Sequence, residues 1–542
     1  MQEYKWKIKS KVPQNKKGDW LLKLLAQNRN LDTPKKLQNF LNPTIEQILD
    51  VKPTQMEKGK KRIAQAIQNK EKIVVYADYD ADGLCATAIM WETLFDLGAD
   101  VMPYVPHRIK EGYGMSIEAI SEMAKKGVKL IITVDQGVTA VKQVEHAKKL
   151  AIDVIITDHH VLPEKTPDPF ALVHSTALCG AGVAWRFCWE IVKELKGEYE
   201  EKLMQKLELA ALATIADLVP LVGGSRTIVK FGLEKLTKTK RPGILALMRT
   251  SKVKGAIGTY EIGHILAPRI NAMGRLEHGL DSLRLICAKN QKQADELAKL
   301  LTKTNTKRQD LTIKAVESAF PMIEAQTLIG VVSHESWHEG VIGLVASRLV
   351  EAHHRPMIAI SKGQELSKGS ARSIPGFNII EAIRESSEFL VDAGGHPMAA
   401  GFTIKTEHIE IFKSRITKFA QRTITEEILV KKLDIECELD PEDITFENFK
   451  IIQSFQPYGM GNPSPYFVTK GMTVEDVRTV GQESKHLKLQ LDGFSAIAFN
   501  MGRFGAEIRP GYQLDVVYSP EEDKYANNRT LQLKIKDIKV QN

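Results

Sequence analysis

Four short apolar runs, separated by helix-patterned stretches, constrain the fold more than any other feature of the chain. KIVVYADYDADG (72–83), VMPYVP (101–106), KLIITVDQG (129–137) and IDVIITDHH (152–160) each read as a strand. Residues 84–97, 116–126 and 138–150 between them read as helices. The runs show no alternation of apolar and polar positions, so both faces of each strand must be covered. That pattern predicts a doubly wound parallel α/β sheet. Three of the four runs end in acidic residues, and in an open parallel sheet the carboxyl ends of the strands meet along one edge.

The remaining chain divides around this block. Residues 1–70 read as an N-terminal helical segment, and 71–285 as the sheet domain, with helices dominating from about 181 to 250. A long charged helix within 286–322, stopped by Pro321, reads as a connector. Residues 323–425 form a smaller α/β domain, with strands at TLIGVVS and PMIAIS and a helix near 340–352. From 428 to 542 the pattern alternates, as in HLKLQLDGFSAIAFN and LQLKIKDIKV, which predicts a small antiparallel barrel.

Composition narrows the classes. A net charge of +8 over 542 residues suits a polyanionic partner without requiring one. The five cysteines (Cys85, Cys179, Cys188, Cys287 and Cys437) are scattered, which fits neither a disulfide framework nor a zinc site. The polar, lysine-rich start has no apolar core of a signal peptide, and no run is long enough to cross a bilayer. The expected compartment is the cytoplasm, with no membrane association.

The carboxylates carry the chemistry. Asp78, Asp80 and Asp82 follow the first strand, Asp135 ends the third, and Asp158, His159 and His160 end the fourth. One aspartate after a strand is most often a helix cap, and Asp78 alone fits that role; a lone pair of histidines is most often a satisfied polar pair. Three strand ends carrying D-x-D-x-D, D and DHH are not explained by three independent caps. So many carboxylates in a small volume need cations to neutralise them. Carboxylates with imidazole suit Mn²⁺ first and Mg²⁺ second. Two such ions about 3.5–4 Å apart polarise a phosphoryl group, generate hydroxide near neutral pH and steady the leaving oxygen. Asp135, alone on a middle strand, is the expected carboxylate shared by both ions.

At these residues the chain resembles the DHH phosphoesterase family and, within it, the RecJ single-strand exonucleases. DYDADG (78–83), TVDQG (133–137), TDHH (157–160) and ATIADLVPL (213–221) resemble the first four family motifs. AGGHPMAAGF (393–402) resembles the glycine-rich signature of the second family lobe, DHHA1, and the barrel resembles an OB-fold. APRINAMGR (267–275) and WHEGVIGLVASRL (337–349) also look like RecJ segments.

The resemblance implies metal ligation by Asp80, Asp82, Asp135, His159 and Asp217, with Asp78 and Asp158 as further ligands or supports. It implies contact of His160 with the scissile phosphate and a place for His396 close to it, beside a backbone cradle at Gly394 and Gly395. Arg108, Ser370 and Arg372 match a 5′-phosphate pocket, and Arg269, Asn271 and Arg275 match the strand path. Tyr76 stands where many DHH phosphoesterases carry a histidine, which weakens the expected first metal site, and Gln136 stands where a cysteine is common. Phe455, Tyr458 and Tyr466 read either as base-stacking groups or as packing between lobes.

The implied activity is 5′→3′ hydrolysis of single-stranded DNA to 5′-mononucleotides with two divalent cations, in recombination and repair. A single-strand-binding protein is the expected partner and a monomer the expected state. The alternatives are a DHH phosphodiesterase for short oligoribonucleotides or cyclic dinucleotides, and a non-catalytic single-strand binder.

Overall fold

The computed structural model describes residues 4–16, 18–112, 114–193, 197–523 and 530–541. The chain forms two compact units, one of Gln38–Asp310 with Pro457–Pro463, the other of Met1–Leu37, Leu311–Gln456 and Ser464–Asn542.

The first unit is built on five parallel strands: β1 (Lys72–Tyr76), β2 (Val101–Tyr104), β3 (Val128–Val134), β4 (Asp153–Asp158) and β5 (Ala171–His174), in the order β2-β1-β3-β4-β5. The three central strands are buried on both faces: after its first residue β1 is wholly buried, and β3 exposes only Lys129. Crossover helices α1 (Ala81–Asp96), α2 (Ile117–Lys125) and α3 (Val141–Lys149) join them. The α2–α3 side closes over Val74, Ile131, Val154 and Ile156. On the other side α1, α4 (Gly180–Val192) and α5 (Leu207–Ala216) build the largest core, centred on Trp185, Phe187, Leu209 and Leu212. Helix α5 has no polar stripe because every residue but the last is buried. Helix α6 (Ala267–Leu276) follows a π-helical turn, Glu261–Leu266.

Helix α7 (Gln291–Ala319) runs through the boundary between the units. Ala294, Ala298 and Leu301 belong to the first core, whereas Ala315 and Ala319 pack with Trp337 and Val345 in the second unit.

The second unit holds a mixed sheet of β6 (Gly330–His334), β7 (Met357–Ser361), β8 (Leu366–Arg372), β9 (Leu390–His396) and β10 (Ala399–Lys405), ordered β9-β10-β8-β7-β6. Helix α8 (Ile342–His353) crosses between its only parallel pair, β6 and β7. The same unit contains a closed barrel: β11 (Phe467–Val480), β12 (His486–Leu491), β13 (Phe494–Ala498), β14 (Gln513–Glu522) and β15 (Leu531–Val540), in the order β11-β12-β13-β15-β14. One parallel pair, β13 with β15, closes it. Closure leaves no free sheet edge. No helix among the described residues is long and apolar enough to cross a membrane.

Two expectations change. Residues 1–70 are not uniformly helical: Lys5–Ile8 is a strand pairing in parallel with Lys432–Ile435, and Met1–Leu37 belongs with the second unit. The alternation Tyr4-Lys5-Trp6-Lys7-Ile8 has the period of a strand, and Trp6 Nε1 donates to the buried Asp537 carboxylate at 2.6 Å. Phe455 is fully buried, with the Arg29 guanidinium over its ring at 5.1 Å, so it packs and does not stack bases. Tyr466 also packs, against a small core that includes Leu433 and Val468.

Candidate metal centre

The site forms where the chain leaves β1, β3 and β4 and where α5 ends. After β1 the backbone turns sharply into α1. Asp80, in extended conformation, caps that helix: its Oδ1 accepts from Asp82 N at 2.9 Å and Gly83 N at 3.1 Å. The cap is therefore Asp80, not Asp78, for a geometric reason. Asp78 folds back against the helix start, and a Cβ on Gly83 would lie 2.6 Å from its own Cβ. Asn271 Oδ1, on α6, satisfies one more free amide of that first turn by accepting from Ala81 N at 2.7 Å.

Asp82 points from α1 to the N-terminus of α4. Its carboxylate accepts from Gly180 N at 2.7 Å and Ala181 N at 2.6 Å, where the helix dipole favours negative charge. Gly180 is required at this point, because a Cβ there would meet Asp135 Oδ1 at 2.5 Å. Asp135 itself has φ +61, an uncommon conformation for any residue but glycine, and one that concentrates at functional sites. Asp217 directly follows α5 and is the open member of the set, with Leu218 after it at φ +56.

Three overlapping groups of donor atoms result, each within 4.8 Å: Asp78, Asp80 and Asp135; Asp135, His159 and His160; Asp82, His159 and Asp217. His159 Nε2 lies 3.1 Å from Asp135 Oδ1, 3.6 Å from Asp217 Oδ2 and 3.8 Å from Asp82 Oδ2. Among the described residues, Asp135 Oδ1 is buried and accepts no hydrogen bond of good geometry, His159 Nε2 included. A buried carboxylate oxygen without a donor is costly unless a cation meets it, so the residues fit divalent metal.

Electrostatics agree. Burial, then the charge of Asp80, pushes Asp82 up to about 7. Burial, then Asp82 and Asp80, pushes Asp217 up to about 8. Burial drives Asp78 and Asp135 well above the usual carboxylate range, with neighbouring aspartates adding to it. Without cations the cluster can hold its negative charge only in part.

Asp158 behaves in the opposite way. Burial would raise it, but the hydrogen bond and charge of His160 and the Val138 amide hold it below the ordinary value. Burial would lower His160, but Asp158, 2.8 Å away, pushes it up to about 9. In the metal-free site this favours the charged imidazolium, a form suited to donating to an anion, while the His160 ring also stands in the donor group with Asp135 and His159. Asp158 also accepts from the backbone amides of His159 and His160, which holds the main chain of the pair, and His174 Nε2 contacts the His160 carbonyl at 2.7 Å.

Tyr76 faces the 114–116 segment. It is fully buried against Tyr104, its hydroxyl contacts the Gly114 carbonyl and the Ser116 amide, and burial pushes it up to about 12. The hydroxyl is thus engaged by the 114–116 segment, and Asp78 stands in the group with Asp80 and Asp135.

Also in this unit, the Arg108 guanidinium lies over the Tyr79 ring at 5.1 Å. Arg269, Asn271 and Arg275 share α6. In the second unit, Arg372 Nη1 contacts Ser370 Oγ at 3.3 Å and the Ala371 carbonyl at 2.8 Å. Gly343, in the first turn of α8, leaves room there: a Cβ would sit 3.0 Å from Ser370 Oγ and 3.1 Å from Arg372 Nη2. Burial lowers the Arg372 pKa, and no carboxylate offsets it. Gly394, Gly395 and His396 end the exposed strand β9 in a tight hairpin with β10. Gly395, at φ +147, has Ala400 too close to admit a side chain. The glycine segment is thus part of a strand pair.

Sequence reasoning missed the α4 amides that hold Asp82 and the Asn271 cap. A glycine-flanked helix start, Cys179-Gly180-Ala181-Gly182, was the available signal for the first.

Fold and site together define a metal-dependent hydrolase of the DHH class. The family models agree: the DHH family N-terminal domain matches residues 72–216, the DHHA1 domain 324–422 and the RecJ OB domain 435–537. The chain is 38% identical to the single-stranded-DNA-specific exonuclease RecJ of Bacillus subtilis, over 96% of its own length and 68% of that protein. It is 31% identical to the Haemophilus influenzae RecJ over 95% of each. The crystal structure of Thermus thermophilus RecJ in complex with Mn²⁺ superposes with a TM-score of 0.87 at 28% identity, covering 99% of this chain and 80% of that one. The chain belongs to the RecJ family of exonucleases.

Proposed function

We propose that the chain is a single-stranded-DNA-specific 5′→3′ exonuclease that releases 5′-mononucleotides in recombination and repair, using two divalent cations with Mn²⁺ preferred over Mg²⁺. The observation that carries this reading is the position of Asp135, shared by two donor groups and left with a buried oxygen that no hydrogen bond satisfies. One ion would be held by Asp78, Asp80 and Asp135, the other by Asp82, His159, Asp217 and Asp135. Cations bound there supply Lewis acidity, activating water near neutral pH and offsetting charge on the phosphoryl group. His160, held toward its charged form by Asp158, would donate to a phosphate oxygen at the reacting centre, and His396 would act on the same substrate group. Ser370, Arg372 and Arg108 bind the terminal 5′-phosphate, which sets the polarity. Arg269, Asn271, Arg275, Gly394 and Gly395 line the strand path. Mn²⁺ appears with the Thermus relative in its solved structure, and Mg²⁺ in another of the same protein. The enzyme acts as a cytoplasmic monomer with a single-strand-binding protein as partner.

A digest of end-labelled DNA with Mn²⁺ tests this, comparing 5′-phosphate, 5′-hydroxyl and hairpin substrates. The expected result is loss of 5′ label as mononucleotide, fastest from 5′-phosphate. Release from the 3′ end, or equal attack on blunt duplex, overturns it.

A further inference from the structure

The Tyr260–His264 pair stands outside every role assigned above. Tyr260 sits at the N-terminal edge of the π-helical turn Glu261–Leu266. Such turns are rare and occur frequently at functional sites. Here the turn lays the tyrosine ring nearly flat on the imidazole four residues later, with centroids 4.5 Å apart and planes 18° apart. Tyr260 is 63% exposed, and His264 is exposed beside it. Two parallel rings held in water form an incomplete stack, and the natural complement to such a surface is another flat ring.

The surroundings point to the same ligand. Gly263 lies against Ile215, two residues before Asp217, with 3.8 Å from a Cβ position to the isoleucine. The turn that carries the stack therefore packs against the end of the helix that precedes the open aspartate. On the other side of the turn, Arg269 Nη1 donates to the Ile265 carbonyl at 2.6 Å, while its Nε is buried and makes no hydrogen bond. Among the described residues no carboxylate pairs with it. An arginine drawn out of water with no anion beside it is suited to phosphate. Two residues on, Asn271 joins the start of α1. One continuous element thus presents, in order, flat rings, an uncompensated guanidinium and a contact to the metal-binding loop.

We propose that Tyr260 and His264 form a base-stacking platform beside the metal centre, which holds one nucleobase of the strand while Arg269 takes a neighbouring phosphate. The inference rests on the exonuclease reading and sharpens it. Stacking tolerates any base, since every base has a π-face. A base engaged in a duplex has its faces covered, so the platform also favours single strands.

The test measures binding by fluorescence anisotropy in EDTA, so that nothing is cut, with a 5′-phosphorylated thymidine 12-mer and a series carrying one abasic site at successive positions. For wild type, one abasic position is expected to weaken binding about tenfold more than the others. Tyr260→Ala should weaken the intact oligomer by a similar factor and lose the special sensitivity to that position. Tyr260→Phe should bind as wild type. Equal sensitivity at all positions in wild type, or an unchanged abasic profile in Tyr260→Ala, overturns the platform. If Tyr260→Ala melts early, Tyr260→Gln, equally polar but not flat, supports the same comparison. Failure is separable from that of the parent reading. A wild-type enzyme that degrades 5′ ends with no Tyr260 effect removes the platform alone. A position-specific Tyr260 effect without degradation removes the exonuclease reading alone.

Discussion

The chain contains two incomplete charge environments of opposite sign. At the carboxyl edge of the parallel sheet, buried aspartates sit closer together than their charges allow, and their pKa values rise. At β8 of the second unit, Arg372 is drawn from water beside Ser370 and a glycine, and its pKa falls. Burial does the same thing in both places: it penalises the charged form. The missing partner differs. On the proposed reading, cations complete the first environment and an anion the second. Asp158 and His160 show the contrast within the first site, because each holds the other toward its charged form.

The comparison breaks most decisively at Asp135. Asp135→Asn keeps size and shape but halves the ligand capacity of the shared group. Cleavage is expected to fall by about a thousandfold or more, since each ion contributes several kcal/mol to charge stabilisation. Calorimetric titration with Mn²⁺ should show loss of tight binding, while circular dichroism stays native. Activity within tenfold of wild type would remove Asp135 from the shared role. The anion side should respond selectively. Arg372→Ala is expected to slow 5′-phosphorylated substrate about 10–100-fold, the worth of a charged hydrogen bond, and to leave 5′-hydroxyl substrate nearly unchanged. Equal loss on both substrates would mean that Arg372 supports the fold and not the phosphate. Asp158→Asn, which leaves every proposed ligand in place, should cost about 10–100-fold through misoriented histidines and an uncharged His160. A wild-type rate in this variant would show that the imidazolium is not needed.

What the sequence made legible followed from local pattern. Asp78, Asp80, Asp82, Asp135, Asp158, His159 and His160 each stand at the end of an apolar run, and a parallel sheet brings such ends together by construction. Asp217 carried no such mark, because it ends a helix that is apolar on all sides, and only the family resemblance singled it out. The contacts that tune the site were not legible. Asp82 meets amides 98 residues away at α4, and Asn271 caps a helix 190 residues away. The choice of Asp80 over Asp78 as cap depends on backbone angles that the D-x-D-x-D spacing leaves open. The π turn at Tyr260 was hidden for a similar reason, since one extra residue in a turn leaves no periodic trace. Lys5–Ile8 falls within the segment expected to be helical, because lysines between apolar residues also suit an exposed helix, although the alternation has the period of a strand.

The smallest effect separates cation demand from anion demand by pH. In EDTA, Asp82 and Asp217 have folded-state values pushed up to about 7 and about 8, above the ordinary carboxylate value they would have unfolded. A raised folded value means that the folded state binds protons more tightly than the unfolded chain. The resulting stabilisation is complete below the unfolded value, near 4, and is lost progressively as pH rises through 7 and 8. The melting temperature of the metal-free protein should therefore fall by a few degrees between pH 6 and pH 9, beyond any drift of the Asp82→Asn, Asp217→Asn double variant, whose slope should be flatter. Saturating Mn²⁺ should remove most of the pH dependence, because cations then take the place of protons. A metal-free melting temperature that rises over this range would show that the carboxylates are not under the mutual repulsion on which the metal site depends.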